Sequence, residues 1–235
     1  GVFDHDARCT ARRTPHVSAV YELVIWDFDG TIADTRLAIV DAATHAMTSN
    51  GFPAPEPDDI TALVGLPIDS LYRSLAQDPG PVTVSQLTED HRSYFEEHAA
   101  SVTRVFAGIE DLLFDLGTTA TISAIATSRT RRTLVPLMRH LGIGGHFAAV
   151  RTDDAVANPK PAPDMVLELC RELGVQPHRS IVVGDTAFDI EMGRRGGART
   201  CGVTWGNHSR TELETAPADE VVDGVPELAR LLLAG

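Results

Sequence analysis

Val24-Ile25-Trp26-Asp27-Phe28-Asp29-Gly30-Thr31 joins an apolar run to a pair of acids. The first half, with Leu23 before it, has the composition of a strand buried on both faces of a parallel sheet. The second half turns to two aspartates one residue apart, followed by Gly-Thr. Open α/β sheets bind their ligands at the carboxyl ends of the strands, so charge at the end of a buried strand marks a candidate site. In an extended chain, residues i and i+2 project to the same side, and Asp27 and Asp29 can therefore address one small volume. Two carboxylates that close repel each other, which favours a bound cation or a retained proton. A lone D-x-D pair is more often a solvated turn. Other polar strand ends in this chain raise its weight.

Beyond Thr31 the periodicity changes. Ile32 to Met47 reads as a helix stopped by Gly51, and Pro53, Pro55 and Pro57 punctuate the next stretch. Pro57-Asp58-Asp59 can open a short helix, with acids in its first turn. Gly65-Leu66-Pro67 breaks the pattern before a helix from Ile68 to Ala76. Asp78-Pro79-Gly80-Pro81 is a turn, and Val84 to His98 is an amphipathic helix. Nothing between about Arg36 and Arg104 reads as a buried strand, so this is a helical insertion.

Strands and helices then alternate. Helices are expected over Ile109–Leu116, Thr130–Leu141, Pro163–Leu173 and Ala187–Arg195, the second with Pro136 inside it. Strands are expected over Ala120–Ala126, Phe147–Val150, Ser180–Val183 and Thr200–Val203. Such alternation builds βαβ units around a parallel sheet. The expected class is α/β, a Rossmann-like parallel sheet core with a small all-helical cap inserted after the first strand. Residues 1–20 form a flexible N-terminal tail in this reading, 21–35 and 105–235 the core, and 36–104 a cap placed to act as a lid.

Composition narrows the partners. A formal charge of −13 argues against nucleic acid or an anionic membrane. No apolar run approaches the roughly 18 residues of a membrane span, and the arginines near the N-terminus are not followed by a signal-type apolar segment. The cysteines (Cys9, Cys170 and Cys201) are few and lack metal-ligand spacing, which fits a reducing cytoplasm. Asn207-His208-Ser209 matches a glycosylation sequon, by chance if the protein stays inside the cell.

Three expected strands end in polar residues: Asp27/Asp29, Thr127/Ser128 and Asp185, with Asp189 one turn further on. Lys160, the only lysine among 20 basic residues, lies in the loop Asn158-Pro159-Lys160-Pro161-Ala162-Pro163. Carboxylates, a hydroxyl and one cation at a sheet edge suit a hard, oxygen-ligated ion such as Mg²⁺. They also suit phosphoryl transfer, in which a carboxylate nucleophile can form an aspartyl-phosphate.

Asp27-Phe28-Asp29-Gly30-Thr31, Thr127, Lys160 with its prolines, and Gly184-Asp185-Thr186-Ala187-Phe188-Asp189 together resemble the four motifs of the haloacid dehalogenase superfamily, in its order and spacing. The resemblance runs from about Glu22 to Leu232. The insertion after the first motif and Val203-Thr204-Trp205-Gly206 are similar to the phosphoglycolate phosphatase branch, with its helical C1 cap. This resemblance implies an Mg²⁺-dependent phosphatase for a small phosphorylated metabolite, phosphoglycolate-like or a sugar phosphate; the sequence leaves monomer and homodimer both open. It implies Asp27 as nucleophile and Asp29 as acid and then base. Thr127 would bind a phosphoryl oxygen, and Lys160 would neutralise charge. Mg²⁺ would be held by the Asp27 carboxylate, the Asp29 backbone carbonyl and Asp185, with Asp189 close by. Thr31 and Ser128, together with Gly65 and Leu66 in the cap loop, would contact substrate, although Gly65-Leu66-Pro67 also reads as a plain helix break. Arg36 and Arg92 could reach a substrate anion, but each reads better as surface arginine.

Other functions compete with this one. A sugar-phosphate mutase of the same superfamily would use the same motifs. A dehalogenase has no use for an acid/base carboxylate at Asp29. A non-catalytic phospho-accepting module of the receiver type shares Asp, Thr/Ser, Lys and Mg²⁺ but is about half this length and lacks the D-x-D pair.

Overall fold

Every residue of Leu23–Trp26 is buried, and alternate side chains enter different cores. Leu23 and Ile25 pack with Ala124, Met165, Leu169 and Val182. Val24 and Trp26 pack with Leu113, Ile125 and Val183, in a cluster that continues into Ala42, Tyr72 and Phe95. Both faces of the strand are therefore covered, as the unbroken apolar run requires.

The computed structural model describes residues 21–233. The tail expected over residues 1–20 lies outside the described residues. The chain forms β1 (Leu23–Trp26), β2 (Ala33–Asp34), α1 (Arg36–Ser49), α2 (Pro57–Thr61), α3 (Ile68–Leu75), α4 (Pro81–Val102) and β3 (Arg104–Val105). It continues with α5 (Ile109–Gly117), β4 (Ile122–Thr127), α6 (Arg131–Leu141), β5 (Ala149–Thr152) and α7 (Asp164–Leu173). The remainder is β6 (Ser180–Gly184), α8 (Ala187–Arg195), β7 (Arg199–Val203), α9 (Arg210–Thr215), β8 (Glu220–Val222) and α10 (Val225–Leu233).

Six strands form one parallel sheet in the order β5-β4-β1-β6-β7-β8. The chain leaves β1 toward β4 and β5, then returns to build β6, β7 and β8 on the other side. Strand order reverses beside β1, and an α/β sheet opens its ligand crevice at that point. Trp26 is in register with Ile125 and Val183, so Asp27 leaves the sheet close to Thr127 and Gly184.

The structure moves some of the expected boundaries. The helix expected from Ile32 begins at Arg36, because Ala33 and Asp34 pair antiparallel with Val105 and Arg104. This ribbon closes both ends of the helical segment α1–α4. Ala38, Ala42, Ala43 and Ala46 give α1 a small-residue face, and α1 packs along α4. The strand expected over Phe147–Val150 lies at Ala149–Thr152, because Gly144–His146 forms a 3₁₀ turn and Ala149 pairs with Ala124. The elements α9, β8 and α10 complete the sheet edge beyond the last expected strand. Among the described residues, no helix is long and apolar enough to cross a membrane.

Candidate active site

At the carboxyl edge of the sheet, Asp27 follows β1, Asp185 follows β6, and Asp189 lies in the first turn of α8. All three are buried, and one oxygen of each lies within 4.8 Å of the others. Lys160 enters from the loop between β5 and α7, its side chain 0% exposed. Its Nζ donates to Asp27 Oδ1 at 2.5 Å and to Asp189 Oδ1 at 2.6 Å. Burial works against the ammonium, but Asp189 and Asp27 outweigh it, so the lysine pKa lies above its usual value.

Each acid has its own support. Asp189 Oδ2 accepts from the backbone N–H and hydroxyl of Thr186, as N3 of the α8 capping box. Asp185 Oδ2 accepts from the backbone and side-chain amides of Asn207, at 2.7 and 2.8 Å, and its Oδ1 from the Thr31 hydroxyl at 3.1 Å. Thr31, expected to contact substrate, thus turns its hydroxyl to an acid of the cluster. The packing is close enough that a Cβ on Gly206 would collide with Asp185, and one on Gly184 with Asp189. Glycine is required at both positions by space.

Three carboxylates against one ammonium leave two negative charges uncompensated in a buried site. Burial and the surrounding acids push the Asp27 carboxyl well above its usual value, despite Lys160. Burial and Asp189 push Asp185 up to about 7, against the donors from Asn207 and Thr31. A hard divalent cation relieves this imbalance, and the donor set, all carboxylate oxygen, fits Mg²⁺. The Asp29 carboxylate stands apart from this trio. Its backbone carbonyl, which the resemblance assigns to the metal, accepts no backbone hydrogen bond among the described residues.

Asp29 instead faces a cleft lined by Val64, Gly65, Leu66, His91, Phe95 and Ser128, where α1, α3 and α4 meet the sheet edge. Its Oδ1 accepts from Thr35 Oγ1 at 2.5 Å and from Arg129 Nη2 at 2.6 Å. Thr127 is buried, and its hydroxyl accepts from the Arg129 backbone N–H. Ser128 donates its hydroxyl to the Gly65 carbonyl at 2.6 Å, joining the sheet edge to the helical segment. Gly65 has φ of +99°, and a Cβ there would meet Thr186 Oγ1 at 2.9 Å. Gly65 therefore sits between the second and fourth motifs, and Leu66 lines the cleft beside it. Arg92 also lines the cleft, whereas Arg36 is a half-exposed side chain near Asp58 and Thr61.

Sequence reasoning misses two residues. Asn207 reads locally as no more than a chance sequon, yet its side-chain amide is spent on Asp185. The signal lies in its place just past β7, at the same sheet edge. Arg129 stands beside Thr127 and Ser128, but nothing local says that its side chain reaches Asp29.

A family model described as haloacid dehalogenase-like hydrolase matches residues 24–203. A phosphoglycolate phosphatase of Chromobacterium violaceum is 30% identical over 225 residues, which cover 94% of this chain and 98% of that protein. An N-acetylmuramic acid 6-phosphate phosphatase of Pseudomonas putida is 28% identical over 211 residues, 89% of this chain and 95% of that protein. The crystal structure of a hydrolase from Pseudomonas syringae superimposes with a TM-score of 0.81 at 25% identity, covering 90% of this chain and 97% of that one.

Proposed function

Since the chain belongs to the haloacid dehalogenase-like hydrolase family, we propose that it is an Mg²⁺-dependent phosphatase that works through phosphate on Asp27. The observation that carries this reading is the buried trio of acids around one ammonium at the carboxyl edge of the sheet. Lys160 occupies Asp27 Oδ1, and among the described residues Oδ2 has no hydrogen-bond partner, so it is the oxygen left to attack phosphorus. Asp27 forms the new P–O bond while the ester P–O bond breaks, and Asp29 gives its proton to the departing alkoxide. Thr127 donates its hydroxyl to a phosphoryl oxygen, and Lys160 offsets charge that gathers on nucleophile and phosphate. In the second half Asp29 takes a proton from water, which displaces Asp27 from phosphorus and releases inorganic phosphate. Asp27, Asp185 and the Asp29 carbonyl would hold Mg²⁺, with Asp189 close by, and the bound ion supplies positive charge for the phosphoryl oxygens.

Residues 36–104 act in this reading as the cap over the site, and the substrate is a small phosphorylated metabolite. Phosphoglycolate and N-acetylmuramic acid 6-phosphate, from the names of the two relatives, belong in the first panel. Purified protein should release phosphate from phosphomonoesters with Mg²⁺ and lose that activity to a chelator. Asp185→Ala should lower activity at fixed Mg²⁺, by more than the roughly 10- to 100-fold that losing an outer-shell partner of a metal ligand costs, and added Mg²⁺ should restore part of it. Full turnover after chelation would refute the metal assignment.

The loop between α2 and α3 has its own test. Leu66 lines the cleft beside Asp29, so Leu66→Ala should reorder a panel of phosphorylated metabolites more than it changes turnover of a small aryl phosphate. One lost side chain in such a cleft is worth ~1–3 kcal/mol between substrates. Equal losses throughout, or none, would make Gly65-Leu66-Pro67 a plain helix break.

A further inference from the structure

Asp29 has to present one oxygen to the leaving group, and the geometry around it shows how that oxygen is chosen. All its hydrogen bonds go to Oδ1: Thr35 Oγ1 at 2.5 Å, Arg129 Nη2 at 2.6 Å and Arg129 Nε at 3.0 Å. Among the described residues, Oδ2 has no partner. The contact between Arg129 and Asp29 is shielded from water, with side-chain exposures of 8% for Arg129 and 13% for Asp29. Arg129 is itself held on three sides. Its backbone N–H donates to Thr127 Oγ1, and its carbonyl accepts from the Asp153 N–H. Its guanidinium carbon lies 3.9 Å from the ring centroid of Phe95, on α4.

We propose that Arg129 is the positioning residue for Asp29, fixing Oδ1 so that Oδ2 faces the ester oxygen, and that Phe95 carries this support into the helical segment. The proposal rests on the reading of Asp29 as the acid. A planar guanidinium can give two donors to one carboxylate oxygen while its face lies on an aromatic ring. A lysine ammonium can supply the charge but not both contacts. The segment that covers the site thus touches the proton donor's support directly. A cap helix that moved Phe95 would move the seat of Arg129.

The leaving group supplies the test, because kcat/KM reports the steps up to its departure. An alkyl alkoxide needs a proton as it leaves and a nitrophenolate does not. Arg129→Met should lower kcat/KM for both esters, and for an alkyl phosphate by a factor on the order of 10–100 more than for p-nitrophenyl phosphate. Arg129→Lys should recover part of the alkyl ester activity with the same bias in smaller measure. It carries the test if the Met variant fails to fold. Asp29→Asn, run in parallel, should show the alkyl bias at full size. Equal losses on both esters in the Arg129 variants, with the bias present in Asp29→Asn, would overturn the role of Arg129 and leave the phosphatase mechanism standing. Absence of the bias in Asp29→Asn would overturn Asp29 as acid, and the role of Arg129 with it.

Discussion

Asp27→Asn should abolish hydrolysis while the protein remains folded. The substitution keeps shape and volume, and the amide oxygen can still accept from Lys160. What disappears is the charged oxygen that bonds to phosphorus. Removing a nucleophile that acts within a catalytic unit costs on the order of 10⁶ in kcat, and no other carboxylate can take its place. Asp185 and Asp189 have their oxygens engaged by Asn207, Thr31, Thr186 and Lys160. Asp29 stands outside the trio that holds Lys160, with Oδ1 tied to Arg129 and Thr35 and Oδ2 committed in this mechanism to the leaving group's proton. Rapid acid quench of the wild-type protein with labelled ester should trap phosphate on Asp27. Normal turnover by the Asn variant, or label on another residue, would remove Asp27 from the mechanism. Thermal unfolding of the variant separates lost chemistry from lost fold.

Lys160→Arg should be nearly as damaging, although it conserves charge. The ammonium sits between Asp27 and Asp189 in a space with no solvent exposure. A guanidinium is larger and planar and carries its donors as a fork, so it cannot place one compact charge between two carboxylate oxygens. Losing one preorganised charge contact of this kind costs about 10²–10³-fold in kcat. A surface lysine would tolerate the change, and near-wild-type turnover would place Lys160 outside the chemistry. The same burial protects Lys160 from amine-directed reagents. A buried, doubly paired ammonium with a raised pKa offers little neutral amine. Lys160 should resist such reagents until the protein unfolds.

Much of this molecule is legible in its sequence, for a physical reason. Leu23 to Trp26 is apolar on both faces because helices cover both sides of the sheet, and that pattern is local in sequence. Asp27, Thr127 and Asp185 lie at the ends of strands that run side by side in one parallel sheet, so each strand delivers its final residues to the same edge. Lys160 stands out because it is the lone lysine, in a proline-stiffened loop. The features that sequence does not reveal are set by contacts between distant residues. Arg129 reaches Asp29 across 100 positions and Asn207 reaches Asp185 across 22, and neither leaves a periodic trace. Thr31 is expected to face substrate, but its hydroxyl is used by Asp185, 154 positions away. The start of α1 shifts because Ala33 and Asp34 find strand partners at Val105 and Arg104. Composition and strand pattern by themselves determined that a parallel sheet would gather acids, a hydroxyl and a lysine at one edge. Only tertiary structure decided which oxygens of those acids remain free to react, because a hydrogen-bond partner is chosen by distance in space.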